Sequence, residues 1–213
     1  MVTMIARLAV VCGLMIGAVG RVSAQDPTKT LPDAYQVTFE NDHVRVVRVH
    51  YAAGARLPEH THPGGTTVYV YLGDSDGVVF RHSGRSNRAV TRPPVKAGGV
   101  RVASGPEEHH TAENPASTPS DFLRVWFKTD NGGESNLPRR LSPADREFAN
   151  KQMRITRLIG RDVAFEAPAR VPALVVSVSD GSVRWVPVGE RFLADSSDSR
   201  AEVLRIDFLT SPK

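Results

Sequence analysis

The sequence predicts an all-β protein built around an antiparallel barrel or sandwich. Three observations carry that prediction. Apolar and polar residues alternate in short runs, as strands with one covered face require. Turn chemistry separates the runs, at "DSDG" (Asp74–Gly77), "SGRSN" (Ser83–Asn87) and Ser179-Asp180-Gly181. Finally, 17 glycines and 15 prolines in 213 residues suit a chain that turns often.

The elements follow in order. Residues 1–24 read as a secretory signal peptide: Arg7, a short apolar run from Leu8 to Gly20, then Val22-Ser23-Ala24 as a small-residue cleavage site before Gln25. The run is short for a membrane span, so no stable span is expected after processing and the protein is expected in the periplasm or secreted. "QDPTKTLPDA" is expected to be loosely ordered. "YQVTFEN", "HVRVVRVHY", "TTVYVYLG" and "VVFRH" read as strands. "RAVTRPP" reads as an edge strand, because Pro93 and Pro94 cannot donate to a ladder. "AGGVRVAS" is a short strand with a turn, and "DFLRVWFKTD" (Asp121–Asp130) is the clearest strand of this half.

"NGGESNLPRR" then breaks the texture as a linker. "SPADREFANKQ" predicts a helix, with Ser142 as N-cap, Pro143 at the first helical position and Asp145 in the capping-box place. "MRITRLIG", "PALVVSVSDGSVRWVPVG" and "AEVLRIDFLTSP" return to strands, with a hairpin turning at Ser179-Asp180-Gly181. The expected organisation is a barrel over residues 35–130, a linker with a short helix over 131–152, and a smaller β-unit over 153–213. "DFLRVWFKTD" and "EVLRIDFLTS" echo each other, so the last unit is read as a possible degenerate second half.

Composition excludes several chemistries. Cys12 is the only cysteine and lies in the leader, so the processed chain has no disulfide, thiolate ligand or cysteine nucleophile. The net charge of +4 falls to +2 without Arg7 and Arg21, too little to point to nucleic acid. No nucleophile elbow, phosphate-binding glycine loop or dinucleotide fingerprint occurs.

What remains is histidine. His60 and His62 are two apart, so on an extended chain they share a face. Much later come His110 and Asn114. Gly54, five residues, His60-x-His62, three residues, Thr66, six residues and Gly73 form one block; Gly99, five residues, Gly105-Pro106-Glu107, two residues, His110, three residues and Asn114 form another. These blocks resemble the two motifs of the cupin superfamily over about Tyr35 to Asp130. The family has a glutamate where Thr66 stands and a Pro-x-Gly turn where Gly105-Pro106-Glu107 stands.

The resemblance implies a cupin-like antiparallel β-barrel or jelly roll with a divalent metal ion at its mouth, held by His60, His62 and His110. Imidazole suits zinc, iron, copper and nickel, and the ions expected here are iron, zinc, manganese or nickel. Thr66, in the fourth position, is a poor ligand, and losing a carboxylate leaves a more positive site that favours an anionic ligand. Glu59 is expected to face away and His109 to oppose His110, while Glu107 and Glu108 stand in the turn before His110, either reaching the mouth or, in the simpler reading, solvated turn acids. His43, His50 and His82 are read as surface or strand-face residues, and Tyr69, Tyr71 and Trp126 either line a pocket or, in the simpler reading, belong to the core. The function classes left open are a metal enzyme of oxygenase or isomerase type acting on a small molecule, a non-catalytic ligand- or metal-binding module, and a scaffold that has lost its metal site. A homodimer is compatible with any of them.

Overall fold

The structure, a computed structural model, describes residues 26–84, 87–128, 137, 139–160, 169–192 and 201–210. The expected signal peptide lies outside the described residues. The segment after it holds a single helical turn, α1 (Pro27–Thr30), rather than loose chain. Asp26 caps it by accepting from the Thr28 backbone N–H at 3.0 Å, and Arg45 anchors Asp26 at 3.1 Å.

Three antiparallel sheets make up the remainder. The first runs β1 (Tyr35–Glu40), β2 (Val44–Tyr51), β9 (Ser120–Phe127), β4 (Gly65–Tyr71), β7 (Val100–Gly105), β10 (Arg139–Leu141). The second runs β3 (Arg56–His62), β8 (Glu108–Glu113), β5 (Val78–His82), β6 (Arg88–Arg92). The third, from the last part of the chain, runs β11 (Glu147–Ala149), β12 (Met153–Ile159), β15 (Glu202–Phe208), β13 (Ala173–Ser177), β14 (Val183–Val186). The first two sheets face each other as a jelly roll, with β6 an edge strand as expected.

The first sheet is buried on both faces along its central strands β2, β9, β4 and β7, while its edge strands β1 and β10 are largely exposed. Along β9, Phe122, Arg124 and Trp126 look into the jelly roll, while Leu123, Val125 and Phe127 look outward. The outward set joins Val44, Val46, Val68, Val70, Val100 and Val102, and packs on Met153, Ile155, Leu174, Leu204, Ile206 and Phe208 of the third sheet. Two sheets stacked this way share an apolar layer about 10 Å thick. Arg157 ties the third sheet to the second sequence block. Its guanidinium pairs with Glu202 and donates to the Gly98 carbonyl at 2.6 Å.

The predicted helix over 142–152 does not form. Its capping bonds do: the Ser142 backbone N–H donates to the Asp145 carboxylate at 2.6 Å, and the Ser142 hydroxyl donates to it at 2.9 Å. They close a turn instead. Glu147–Ala149 then pairs with Thr156, Ile155 and Arg154 as β11, with Phe148 packed on the core. Asn150 makes the next turn, its side chain accepting from the Gln152 and Met153 backbone N–H groups at 2.9 Å each. A helix of this length must overcome a costly nucleus, and strand pairing against an apolar layer outcompetes it.

Leu123 is fully buried in the shared layer, whereas Leu209 is 42% exposed. Leu123→Ala is expected to lower unfolding free energy by about 2–5 kcal/mol. Leu209→Ala should stay within about 0.5 kcal/mol of the parent. Urea unfolding monitored by circular dichroism checks both.

Candidate metal centre

The site begins with an irregularity in β3. Arg56 and Leu57 pair with Glu113 and Ala112, but His60, Thr61 and His62 pair with His110, His109 and Glu108, one residue out of step. The extra residue is a bulge at Pro58-Glu59. Strand alternation would put residues 57, 59 and 61 on one face. The bulge flips the parity, so Leu57 packs in the jelly-roll interior and His60 and His62 follow it inside. Pro58 is tolerated there because a bulge needs no ladder donor.

Register then assembles the cluster. His110 lies opposite His60 on one side and His82 on the other. The ligand atoms of His60, His62 and His110 all lie within 4.8 Å of one another. Some point is therefore within about 2.8 Å of all three, where a zinc–imidazole bond is about 2.0–2.1 Å. All three side chains are buried. His109, as expected, faces the other way, where it contacts Thr61 at 2.9 Å and Glu107 at 3.0 Å. Glu59 also points away, toward Ser83.

The proton positions on His60 follow from its partners. Its Nδ1 is 2.8 Å from the Pro58 carbonyl, which can only accept, so Nδ1 carries the proton. Its Nε2 is then the acceptor for the Tyr35 hydroxyl at 2.7 Å, and Tyr35 in turn accepts from Tyr51 at 2.6 Å. Burial holds both tyrosines well above the ordinary phenol range, so the relay stays protonated. His110 is different: both of its ring nitrogens are buried without a hydrogen-bond partner. Orphaned imidazole nitrogens beside two more histidines fit a metal ion chemically.

Burial keeps every imidazole here neutral. It pushes His110 down to about 2, with repulsion from His60, His82, Arg124 and Arg92 adding to it. His62 lies well below its usual range through burial, then Arg124 and the other two histidines. Burial also lowers His60, against the pull of the Pro58 carbonyl. Neutral imidazoles offer their lone pairs at neutral pH.

Several sequence expectations change. Thr66 is not in the site. It lies on the outward face of β4, fully buried against the third sheet, where its hydroxyl donates to Gln152 at 2.9 Å. Its neighbour Thr67 pairs with Trp126 and faces inward with Tyr69 and Tyr71. His82 is not a bystander, since its ring sits 5.2 Å from that of His110. Glu108 is half-buried and lines the interior opposite His62, whereas Glu107 remains an exposed turn acid. His50 is exposed, and His43 packs on Trp185 of the third sheet with ring centroids 4.9 Å apart. Tyr69 and Tyr71 line a narrow cavity of about 30 Å³ that His62 and His110 share. Trp126 lines a neighbouring opening. Asn114 serves the fold: its amide group faces the carbonyls of Tyr51, Ala52 and Thr118 at 2.9–3.1 Å.

Arg124 is the residue that the motif spacing missed. It is 6% exposed, borders the narrow cavity and both openings beside it, and has a buried Nε without a hydrogen-bond partner among the described residues. The signal was in "FLRVWF": a charge in the middle of a strand that is apolar on both faces.

Stability should follow these neutral histidines. The unfolded chain takes up protons near the ordinary value of 6.5, while the native imidazoles stay neutral. Stability of the metal-free protein is therefore full above that value and falls as pH drops below it. Each histidine contributes a slope of up to about 1.4 kcal/mol per pH unit. Urea unfolding at pH 7.5, 6 and 5 checks this, and His62→Asn should flatten the slope.

No protein-family model matches the sequence, and none of the curated proteins matches it either. Solved structures do. The bacterial pirin YhhW from Escherichia coli, in complex with nickel(II), aligns at 17% identity over 81% of this chain and 89% of that one, with a TM-score of 0.53. The protein YhaK from Escherichia coli aligns at 15% identity over 83% and 92%, with a TM-score of 0.51. A cupin domain from Bordetella pertussis Tohama I matches 44% of this chain and 91% of its own at 19% identity and a TM-score of 0.38. The facing antiparallel sheets and the likeness to the pirin and YhaK structures agree on the fold, which is a cupin-like jelly roll.

Proposed function

We propose that the protein is exported and binds one divalent metal ion through His60, His62 and His110, using it on a small oxygenated molecule. The observation that carries this reading is the cluster itself: three buried, neutral imidazoles with ligand atoms within 4.8 Å, one of them with both nitrogens unpartnered. The Pro58 carbonyl supports it by fixing the His60 tautomer so that Nε2 offers its lone pair inward. That a pirin of the same fold is in complex with nickel(II) keeps nickel among the candidates, beside iron, zinc and manganese.

A bound ion would supply Lewis acidity or redox chemistry at this point. The chain's own groups do the rest. Tyr35, which donates to His60 Nε2 while no ion is there, would turn its hydroxyl proton toward the cavity once that nitrogen is taken up, with Tyr51 as its remaining partner. Tyr69, Tyr71, Phe80 and Phe122 wall the interior and exclude water. Arg124 presents a fixed positive charge where a developing anion is stabilised. Oxygenase- or isomerase-type turnover fits that set. A second reading, a non-catalytic binding module, is favoured by the Tyr35 bond, which occupies one ligand atom.

Elemental analysis after incubation with each ion tests the metal. About one equivalent is expected, and it is lost in the His60→Ala, His62→Ala double variant; parent protein that retains no ion overturns the reading. Oxygen uptake and product formation by the loaded protein across a small-molecule panel separate enzyme from binder. Mass spectrometry of the protein recovered from the cell envelope or medium checks export, with a chain beginning at Gln25 expected. Tyr35→Phe removes the bond that competes for Nε2, so it should keep the stoichiometry and tighten the metal by roughly fivefold, about one hydrogen bond's net worth.

A further inference from the structure

Opposite the histidines, the inner face of the first sheet carries a row of cations. Tyr69 of β4 pairs with Arg124 of β9 on one side and with Arg101 of β7 on the other. The Arg101 guanidinium stacks on the Tyr69 ring, 5.1 Å from its centroid. From the facing sheet, Arg92 sits over Phe80 at 5.5 Å. Arg92, Arg101 and Arg124 share the walls of the narrow cavity and of an adjoining opening of about 230 Å³, which Arg88 and His82 also line. Glu108 is the one carboxylate on those walls among the described residues. None of the three arginines makes an ion pair with it or any other acid within 4.0 Å among the described residues, although Arg101 and Arg124 are 8% and 6% exposed. The Nε atoms of both are buried and unpartnered among the described residues, while Arg124 Nη2 donates to the Pro63 carbonyl at 3.4 Å.

Buried, unpaired guanidinium groups destabilise a fold unless something compensates them. An arginine fork is shaped for the two oxygens of a carboxylate. Arg101 and Arg124 stand two strands apart, with backbones about 9–10 Å from each other, so each can address its own carboxylate on one short ligand. The opening is smaller than the cavities that hold drug-sized molecules, which limits that ligand to a few carbons.

We infer that this opening is the receptor for a small dicarboxylate, gripped by Arg101 and Arg124 and flanked by Arg92. The inference deepens the proposed function, resting on its reading of the jelly-roll interior as the ligand site but not on the metal. Arg101, Tyr69 and Arg124 hold the ligand from one sheet, and Arg92 and His82 face it from the other.

Isothermal titration calorimetry with succinate on chelator-treated, full-length processed protein tests it. Succinate should bind the metal-free protein, and its neutral diamide, succinamide, should bind at least tenfold more weakly. Arg101→Gln should weaken succinate roughly tenfold. Arg92→Gln, on the half-buried edge strand β6, should weaken it severalfold, and this variant keeps the test open if the buried substitution prevents folding. The His60→Ala, His62→Ala double variant should lose metal and still bind succinate. Succinate binding no tighter than succinamide, or unchanged in Arg92→Gln and in folded Arg101→Gln, would overturn the dicarboxylate site. Metal content measured on the same samples reports separately on the histidine site.

Discussion

Burial of the first sheet on both faces is the constraint on which the molecule depends. A jelly roll standing alone relies on its interior for apolar burial. Here the largest apolar layer lies outside the jelly roll, between that sheet and the C-terminal one, and includes valines from β2, β4 and β7 as well as Leu123, Val125 and Phe127. With stability secured there, the interior can carry arginine, tyrosine and histidine at positions that would otherwise hold the core. The interior cluster is accordingly small, and many of its members are aromatic.

That division accounts for the charge pattern of the site. Burial drives the imidazoles neutral but leaves guanidinium groups charged, because arginine cannot shed its proton at any ordinary pH. The interior therefore separates into an electron-donating side on β3 and β8, with the imidazoles and Glu108, and a cationic side on β4, β7 and β9. A metal ion suits the first and an anion suits the second. Placed together they form one polar surface within an apolar shell, where charges act at longer range than they do in water.

The strands were legible because alternation and turn chemistry are local. β1, β2, β4, β5, β6, β7, β9 and β12 to β15 all fall on runs readable by eye. The failures share one cause. Ser142 and Asp145 formed their capping bonds, but partner strands decided that β11 would follow. Thr66 was assigned by counting from His62, yet which of Thr66 and Thr67 faces inward depends on how β4 sits between β7 and β9. His82 had no ligand spacing in the sequence and reached His110 only through pairing of β5 with β8.

By itself, the sequence determined an all-β chain with two spaced histidine blocks, no cysteine after Cys12, and the polarity of each strand's two faces. Those properties are local: they depend on side-chain period two and on residue chemistry. Only the tertiary structure decided which face became the site. One extra residue at Pro58-Glu59 turned His60 and His62 inward, and the C-terminal sheet took Thr66 and the valines outward. Register between distant strands is a matter of which apolar faces find cover, and no count along a single strand contains that information.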